Sequence, residues 1–394
     1  MRAVRHAGAA RGGAAAAEQC RGAATLAPAR RPVQRPADAR LLVIDGVHPP
    51  RTMPRAHWPM LLQAGDVVIG NDAATLPASL RVVHARTGAA LEIRLAGHVP
   101  PQRDGRARFD VVAFGSGDWR TRTEHRRVPP LLVPGDVLVS RASRSGAPRD
   151  CDAPAVRALR LTVLDLLGHP RLVRVRLDAP LADALAHLAH AGRPVQYAHL
   201  EVPLSAWDVA TPIAAQPVAF EAPSAGFAVD WAAVAALQRR GVRFATLTHA
   251  AGLSSTGDAA LDARLPLPEG YRIPADVVGA VDHARSHGGR VVAIGTTVVR
   301  ALEHAAAGTG GLHAGGGVAD QRIGPGSTLR VIDAILSGVH EPGSSHHELL
   351  RAFVDDAALD AAHAAMLAQG YRSHEFGDSM LVMRTRPRAF SPTP

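Results

Sequence analysis

The hydrophobic pattern of the chain changes its period along the sequence, and this change limits the folds that are possible. Residues 81–178 contain short alternating runs such as Phe109-Asp-Val-Val-Ala-Phe114, separated by Gly, Pro or Asp every ten residues or so. That spacing is typical of an antiparallel barrel or sandwich, and no helix is predicted there. After about residue 180, buried strands alternate with helical segments, which favours a parallel or mixed sheet covered by helices.

We therefore predict an α/β fold class: a mixed-sheet α/β main domain with an inserted antiparallel β-barrel domain. The main domain is expected to be discontinuous, over residues 25–80 and 179–385, with the barrel over 81–178. Residues 1–24, rich in Ala, Gly and Arg, are expected to be a disordered tail or to precede the true start, and residues 386–394 to form a second tail. In the second half, the pattern predicts strands at 242–248, 289–295, 329–333 and 379–383, and helices at 181–191, 230–240, 273–287, 296–307, 346–354 and 356–369.

Positive charge is concentrated in particular segments. The 394-residue chain has a formal net charge of +9, and all 44 of its Lys and Arg residues are arginine. Residues 1–40 carry +6 and residues 81–178 carry +8, whereas the rest of the chain carries −5. A GC-rich genome explains the absence of lysine but not this partition. The predicted barrel is therefore the segment best suited to phosphate contacts, where arginine can pair in bidentate fashion.

Composition also excludes several classes of protein. No stretch of eighteen apolar residues occurs, so we predict no transmembrane helix. The N-terminal segment has no apolar core of a secretory signal. Aromatic residues make up only 4% of the chain, which argues against a stacking platform for single-stranded nucleic acid. These features together favour a cytoplasmic protein.

The potential metal ligands form no recognised pattern. The two cysteines, Cys20 and Cys151, are too few for a disulfide scaffold or a four-cysteine zinc site. A group of three histidines and two glutamates in the range 340–348 has a spacing that matches no helical His-Glu-x-x-His motif. Because the chain has 20 histidines, we attribute the closeness of these residues in the sequence to chance. We therefore predict no metal. The members of this group are His340, Glu341, His346, His347 and Glu348.

The sharpest local motif is a strand that ends at a glycine and leads into a helix. The segment Val291-Val-Ala-Ile-Gly295 is followed by Thr296 and Thr297 and then by a helical pattern. Backbone N–H groups at a helix N-terminus favour a carboxylate or phosphate, so this turn is a candidate ligand site. The alternative is that one of the two threonines only caps the helix.

Two other turns are weaker candidates. Pro223-Ser224-Ala225-Gly226-Phe227 precedes a helix with Asp230 in its first turn, and its small residues would let the backbone approach a ligand, although an ordinary helix entry is the better interpretation. His249 ends a strand and precedes a Gly/Ser/Thr loop. A histidine there suits general acid or base chemistry, although a lone histidine is more often structural.

Taken in chain order, these segments resemble the S-adenosylmethionine:tRNA ribosyltransferase-isomerase family of queuosine biosynthesis over about residues 25–383. Residues 295–303 are similar to the family's VGTTVVRALE almost letter for letter. Residues 40–45 resemble its N-terminal strand. Five further matches follow in the same order as in the family. Gly65-Asp66 and Asn71-Asp72 match GD…NDTRVIPARL; Pro223-Ser224-Ala225-Gly226 match PTAGLHF; His249 and Gly252-Leu253 match HVGLGTF. Asp333, His340, Pro342 and Ser344 match VVDGLLTNFHLPRSTL; Gly370-Tyr371-Arg372 and Gly377-Asp378-Ser379-Met380-Leu381 match GYRFFSYGDAMLI.

The resemblance implies a fold, a reaction and a partner. The family couples an α/β domain to an inserted barrel. It transfers the ribosyl part of S-adenosylmethionine to a 7-aminomethyl-7-deazaguanine in the tRNA anticodon stem-loop, giving epoxyqueuosine with release of adenine and methionine. The chemistry needs a base for the acidified proton beside the sulfonium and a site for the methionine carboxylate. S-adenosylmethionine is the co-substrate, and no metal is implied; the expected state is a monomer.

Residue roles follow from the resemblance. His249 is the best candidate for the base, with Asp378, Asp72 and Glu269 orienting or assisting. The donor site would consist of Gly295, Thr296, Thr297, Arg300, Ser224, Ala225, Gly226 and His340. The RNA contacts would come from Arg120, Arg122, Arg126 and Arg127.

The chain also departs from the family pattern at polar positions. The histidine of PTAGLHF is Ala228 here, and both arginines of NDTRVIPARL are lost, to Ala74 and Ser79. The histidine of the family's MHSEWYEVP is Leu267, whereas its glutamate remains as Glu269. These losses leave two alternatives open. One is a paralogue that uses S-adenosylmethionine on a different, small-molecule acceptor, and the other is a non-catalytic RNA-binding relative.

Overall fold

The computed structural model describes residues 25–99, 105–140 and 158–384. Both predicted tails therefore lie outside the described residues. The strands are β1 (Ala27–Pro28), β2 (Arg40–Ile44), β3 (Arg51–Pro54), β4 (Val67–Asn71), β5 (Ala73–Thr75), β6 (Ser79–His84), β7 (Ala90–Val99), β8 (Arg108–Phe114), β9 (Val137–Ser140), β10 (Leu159–His169), β11 (Leu172–Leu177), β12 (Gln216–Ala219), β13 (Arg243–His249), β14 (Glu269–Ile273), β15 (Val291–Ile294), β16 (Gly315–Ala319), β17 (Ala334–Gly338), β18 (Arg372–Ser373) and β19 (Ser379–Met383).

Helices cover both faces of the main sheet. The α-helices are α1 (Leu181–Ala191), α2 (Ala206–Val209), α3 (Trp231–Arg239), α4 (Ala259–Asp262), α5 (Ala275–Ser286), α6 (Thr296–Ala305), α7 (Ser345–Leu350) and α8 (Asp356–Ala368). Three short 3-10 helices span Arg55–Leu61, Thr123–His125 and Ser224–Ala228. None of the helices in the described part of the chain is long and apolar enough to cross a membrane.

The main sheet is mixed and has nine strands in the order β16-β14-β13-β4-β15-β17-β19-β2-β3. Strands β13, β4, β15 and β17 run parallel to one another at its centre. Every residue of β4 and β15 is buried, because helices cover both faces. Val67 and Ile69 pack in one core with α5 and α6, whereas Val68 packs on the opposite face with Trp58 and α3. Burial on both faces explains why the sequences of these strands are uninterrupted apolar runs.

The inserted domain is a closed six-stranded barrel in the order β10-β11-β8-β7-β6-β9, and all of its pairs are antiparallel. Alternate residues of its strands, such as Leu80 and Val82, form a separate buried core. The predicted fold class is therefore confirmed. The barrel strands run from Ser79 to Leu177, and the limits of 81–178 given for the insertion stay a prediction.

One predicted strand is wrong. Residues 329–333 form no strand, and β17 begins only at Ala334. The apolar residues there are buried as expected, but their backbone N–H groups donate to the carboxylate of Glu303 rather than to a neighbouring strand. Oε1 accepts from Val331 and Ile332 at 2.9 Å, and Oε2 accepts from Arg330 at 2.6 Å. A buried carboxylate on α6 thus satisfies the backbone groups that a strand would have paired.

Candidate active site

A cavity of about 580 Å³ lies at the carboxyl ends of the parallel strands. Gly295 follows β15, Gly338 ends β17, and the loop that starts at Ala250 follows β13, so all three contribute at the same edge of the sheet. Such an edge is where open α/β sheets bind ligands. Eight residues predicted from the sequence line this cavity: Ser224, Ala225, Glu269, Gly295, Thr296, Thr297, Arg300 and His340.

The N-terminus of α6 faces this cavity and has no side-chain cap. Gly295 is the N-cap with φ +90°, so neither threonine caps the helix, contrary to the alternative interpretation. A Cβ at Gly295 would lie 3.3 Å from the Cβ of Ala225 and would be strained at that φ, which explains the glycine. The first-turn N–H groups of α6 and the Thr296 hydroxyl are therefore available to an anionic group.

Asn71, at the end of β4, fixes this turn against the neighbouring strand. Its Nδ2 donates to Thr297 Oγ1 at 3.1 Å and to the His249 carbonyl at 2.9 Å. Its Oδ1 accepts from the His249 backbone N at 2.9 Å. One buried amide thereby holds the end of β13 and the start of α6 together, which sets the distance between the helix N-terminus and the acid–base groups described next.

A buried ion pair forms one wall of the cavity. Arg300 Nη1 donates to Glu269 Oε2, and both side chains are less than a tenth exposed. Arg300 Nη2 also donates to the Ala319 carbonyl at 2.8 Å, and Glu269 Oε1 accepts from the Gly252 backbone N. Burial raises the pKa of Glu269, opposed by the charge of Arg300, and burial lowers the pKa of Arg300, opposed by the charge of Glu269. The attraction between the two charges thus opposes the desolvation cost of burying them.

His249 lies behind that pair and does not line the cavity. It is fully buried, and its Nε2 is 3.5 Å from Glu269 Oε2. Neither ring nitrogen has a hydrogen-bond partner among the described residues. Burial, assisted by the charge of Arg300, lowers the pKa of His249 to about 3, so its ring is neutral. Glu269 and Arg300 line the cavity in front of this ring.

A second acid group on the cavity wall was missed by the sequence interpretation. Glu221 Oε1 accepts from the Tyr197 hydroxyl, and Oε2 accepts from the Ser254 backbone N at 3.1 Å. Burial raises the pKa of Glu221 to about 7, against the hydrogen bonds from Tyr197 and Ser254. A charged residue in the otherwise apolar run Val218-Ala-Phe-Glu221-Ala was the signal available in the sequence.

Glu221 predicts a specific pH dependence of stability. Its pKa rises on folding from 4.5 to about 7, so its contribution is intact below about pH 4.5 and is lost as the pH rises towards 7. We expect the free energy of unfolding of the wild type, minus that of Glu221→Gln, to fall by up to about 1.4 kcal/mol per pH unit across this interval. Urea unfolding at a series of pH values measures it. Other titrating groups are common to both chains and cancel, and a flat difference would contradict the assignment.

Two stacked histidines form a further part of the wall. The rings of His340 and His346 lie 4.4 Å apart and nearly parallel. Burial lowers the pKa of both, to about 4 for His346 and well below the usual range for His340. Gly338, where the family segment quoted above has asparagine, lies beside His340, and a Cβ there would be 3.6 Å from its Nε2. Neutral imidazoles beside a glycine leave this wall uncharged.

Comparison with known proteins gives the family. The model of the queuosine biosynthesis protein family matches residues 25–382. A curated S-adenosylmethionine:tRNA ribosyltransferase-isomerase of Methylobacterium sp. is 31% identical over 374 residues, which is 91% of this chain and 96% of that protein. The protein of the same name from Thiobacillus denitrificans is 33% identical over 331 residues, or 82% and 84% of the two chains. The chain belongs to the queuosine biosynthesis protein family.

A solved structure is also similar to this member of the family. It is an S-adenosylmethionine tRNA ribosyltransferase from Thermotoga maritima, with 20% sequence identity and a TM-score of 0.46, covering 90% of this chain and 96% of that one. The family predicted from the sequence motifs is confirmed by the family model and the curated relatives.

Besides His249, three predicted site residues do not line the cavity of this queuosine biosynthesis protein. Asp72 accepts from the hydroxyls of Thr246 and Thr248 on β13, at 3.2 and 2.7 Å. Asp378 is buried and accepts from the backbone N and the guanidinium of Arg40, at 2.7 and 2.8 Å. Gly226 is buried in the 3-10 helix Ser224–Ala228. The contacts of the two carboxylates join strands of the main sheet.

The structure corrects the prediction for one of the four arginines expected to bind RNA. Arg126 is 4% exposed, and its guanidinium donates to Glu92 Oε2 at 2.8 Å and to the Gly115 carbonyl at 2.9 Å. Its guanidinium is buried against β7 and is not placed to meet a phosphate. Arg120, Arg122 and Arg127 are exposed. The sequence alone could not separate them, because the carboxylate that draws Arg126 inward is on another strand.

The exposed arginines lie close to the loop that lines the cavity. The 3-10 helix Thr123–His125 sits between them in the chain and packs against Gly257, in the loop after β13. A Cβ at Gly257 would be 2.4 Å from the Glu124 backbone N, so the two backbones are in direct contact. Gly252, Leu253 and Ser254 of the same loop line the cavity. The exposed arginines of the barrel and the cavity are therefore joined by one short loop.

Proposed function

We propose that this protein is an S-adenosylmethionine:tRNA ribosyltransferase-isomerase. It transfers the ribosyl moiety of S-adenosylmethionine to a 7-aminomethyl-7-deazaguanine base in tRNA and isomerises it, giving epoxyqueuosine with release of adenine and methionine. The observation that carries the proposal is the cavity in which the uncapped N-terminus of α6 lies beside the buried Glu269–Arg300 pair. Family membership and the names of the curated relatives support it. The cytoplasmic location and the monomeric state expected from the sequence stay predictions.

The N-terminus of α6 would hold the methionine carboxylate of the donor. Free backbone N–H groups and the positive end of the helix dipole favour a carboxylate at this position. Thr296 can add a hydroxyl donor, and the close approach of Gly295 and Ala225 leaves the backbone accessible. Ser224 lines the same region of the cavity.

Glu269 would be the base that removes the proton made acidic by the adjacent sulfonium. It lines the cavity, and burial raises its pKa, which makes the carboxylate a stronger base than one in water. Arg300 holds the carboxylate in place. His249 acts through Glu269 as a positioning residue, because its neutral ring lies 3.5 Å from the carboxylate and away from the cavity.

The tRNA would bind across the barrel face that carries Arg120, Arg122 and Arg127. These side chains are exposed, and the loop beside them continues into the cavity wall. A phosphate backbone held there would present an anticodon base to the cavity. The net charge of +8 on residues 81–178 supports this placement.

Neutralising the exposed arginines is expected to weaken tRNA binding. The triple variant Arg120→Gln, Arg122→Gln and Arg127→Gln should bind less tightly and show a shallower salt dependence, by about 0.7 in the slope of log K against log salt per lost phosphate contact. Filter binding at several salt concentrations measures both. Arg239→Gln, an exposed arginine on α3, is the matched control. An unchanged slope in the triple variant would place the RNA elsewhere.

The direct test of the reaction is adenine release. The purified protein is incubated with S-adenosylmethionine and an anticodon stem-loop that carries the 7-aminomethyl-7-deazaguanine base. Release that requires this RNA supports the proposal, and nucleoside analysis of the RNA identifies the product. Donor binding without RNA affinity would indicate a different acceptor, and RNA binding without donor affinity would indicate a non-catalytic relative. Either result overturns the proposal.

A further inference from the structure

Two loops bring a cluster of metal-ligating groups together outside the cavity. His199 lies in the segment between α1 and α2, and His374 and Glu375 lie between β18 and β19. One ligand atom from each lies within 4.8 Å of the others. His199 Nε2 and Glu375 Oε2 are 3.2 Å apart. Two ligand atoms of a tetrahedral zinc ion are about 3.3 Å apart, so small side-chain rotations would complete the geometry.

The backbone directs both neighbouring side chains to the same place. Consecutive residues of an extended strand point to opposite sides, so His374 and Glu375 could not converge in regular β structure. His374 has φ +68°, the only non-glycine residue with positive φ in the described part of the chain. Such strained positions persist where the surrounding structure holds them, and they cluster at functional sites.

The supporting structure is rigid. Leu200 and Phe376, which follow His199 and Glu375 directly in the chain, are buried in one hydrophobic cluster with Phe227. The rings of Phe227 and Phe376 stack at 5.5 Å. The ligand-bearing residues are therefore held together by packing that does not depend on their own polar contacts, which is what a preorganised site requires.

Two of the ligand atoms contact each other. His199 Nε2 and Glu375 Oε2 are buried and 3.2 Å apart, and neither has another hydrogen-bond partner among the described residues. The rings of His199 and His374 stack 4.3 Å apart and nearly parallel, an arrangement that favours neutral imidazoles. Metal ligation needs the same neutral form. An ion bound between His199 Nε2 and Glu375 Oε2 would give each of them a further polar partner.

A small space for a further ligand adjoins Glu375. A cavity of about 20 Å³, lined by Glu375, Glu221 and Tyr197 among others, is large enough for one water molecule. Zinc sites with three protein ligands commonly keep water in the fourth position. Two imidazoles and a carboxylate suit a transition metal rather than Mg²⁺ or Ca²⁺, which prefer oxygen ligands.

We propose that His199, His374 and Glu375 form a binding site for one divalent transition-metal ion of the zinc class, which joins the α1–α2 segment to the β18–β19 turn. None of these three residues lines the cavity proposed for the reaction. The site differs from the group of histidines and glutamates in the range 340–348, because His199 is distant in the chain from His374 and Glu375.

The test is metal binding by the full-length chain after chelator treatment and dialysis. Cys20→Ser and Cys151→Ser are introduced first so that thiolates cannot supply ligands. Titration with Co²⁺, followed by its visible absorption, and competition with Zn²⁺ should give one ion per chain. His199→Ala, His374→Asn and Glu375→Gln should each weaken binding about tenfold or more. Asparagine is chosen at residue 374 because it tolerates the left-handed backbone.

An exposed histidine provides the matched control, since His313→Ala should bind the ion as the parent does. X-ray absorption of the Zn²⁺-loaded parent, which needs no site variant, should show two imidazoles and a carboxylate, and it decides the matter if a variant fails to fold. Absence of saturable one-to-one binding in the parent would overturn the proposal. So would undiminished binding in His199→Ala, or a different ligand set.

Discussion

Replacing Glu269 with glutamine is expected to lower the rate of RNA-dependent adenine release by about 10²- to 10⁴-fold, the usual contribution of a general base. Glutamine keeps the shape of the side chain but cannot accept the proton. Steady-state kcat with saturating donor and RNA measures the loss. Donor affinity should change little, because the methionine carboxylate is assigned to the N-terminus of α6 rather than to Glu269.

Two controls separate this loss from a general defect. Glu201→Gln removes an exposed glutamate that pairs with Arg30 and should retain full activity. His249→Asn should shift the acidic limb of the pH–rate profile, since His249 adjoins the base, whereas a merely structural histidine would leave that limb in place. An activity of Glu269→Gln within threefold of the wild type would exclude Glu269 as the base.

Replacing Arg300 with methionine is expected to lower the free energy of unfolding by about 3 to 5 kcal/mol. The change leaves the Glu269 carboxylate buried with only the Gly252 N–H to stabilise it. Urea unfolding near neutral pH measures the loss. The magnitude needs no discount for solvent, because both side chains are less than a tenth exposed.

The double variant Arg300→Met, Glu269→Gln tests the cause of that loss. With both charges removed, most of the stability should return, to within about 1 kcal/mol of the wild type, because no unpaired charge is left buried. The same chain should remain inactive, which separates folding from catalysis. A loss of less than about 1 kcal/mol in Arg300→Met alone would contradict a strong contribution of the pair to stability.

Local patterns predicted the elements that depend on local residues. Strands β4 and β15 were evident because each is an apolar run buried on both faces, and the turn at Gly295 was evident because strand, glycine and helix adjoin in the chain. Strand β16 was not evident, since its sequence is Gly-Gly-Gly-Val-Ala and much of it is exposed. Its register is set by its pairing with β14, from Glu269–Ala319 to Ile273–Gly315, and not by its own side chains.

The wall of the candidate site was only partly predictable for the same reason. Glu269 and Arg300 belong to motifs, but their ion pair forms between two separate elements. Glu221 becomes an acid group because Tyr197 and Ser254, from two other loops, meet it. His249 ends a strand as expected, yet whether its ring or the neighbouring carboxylate faces the cavity depends on how β13 and β14 pair. Such convergence is a property of the tertiary structure.

The position of β19 has a consequence for the order in which the chain can fold. This strand is almost the last described element, yet it lies inside the sheet between β17 and β2. Asp378, immediately before it, binds Arg40 at the start of β2, 338 positions earlier. During synthesis, the β2–β3 pair therefore cannot join the rest of the main sheet until β19, which ends at residue 383, has left the ribosome. The barrel needs only residues up to Leu177, so it can close first, while the main sheet is completed only when β19 has been made.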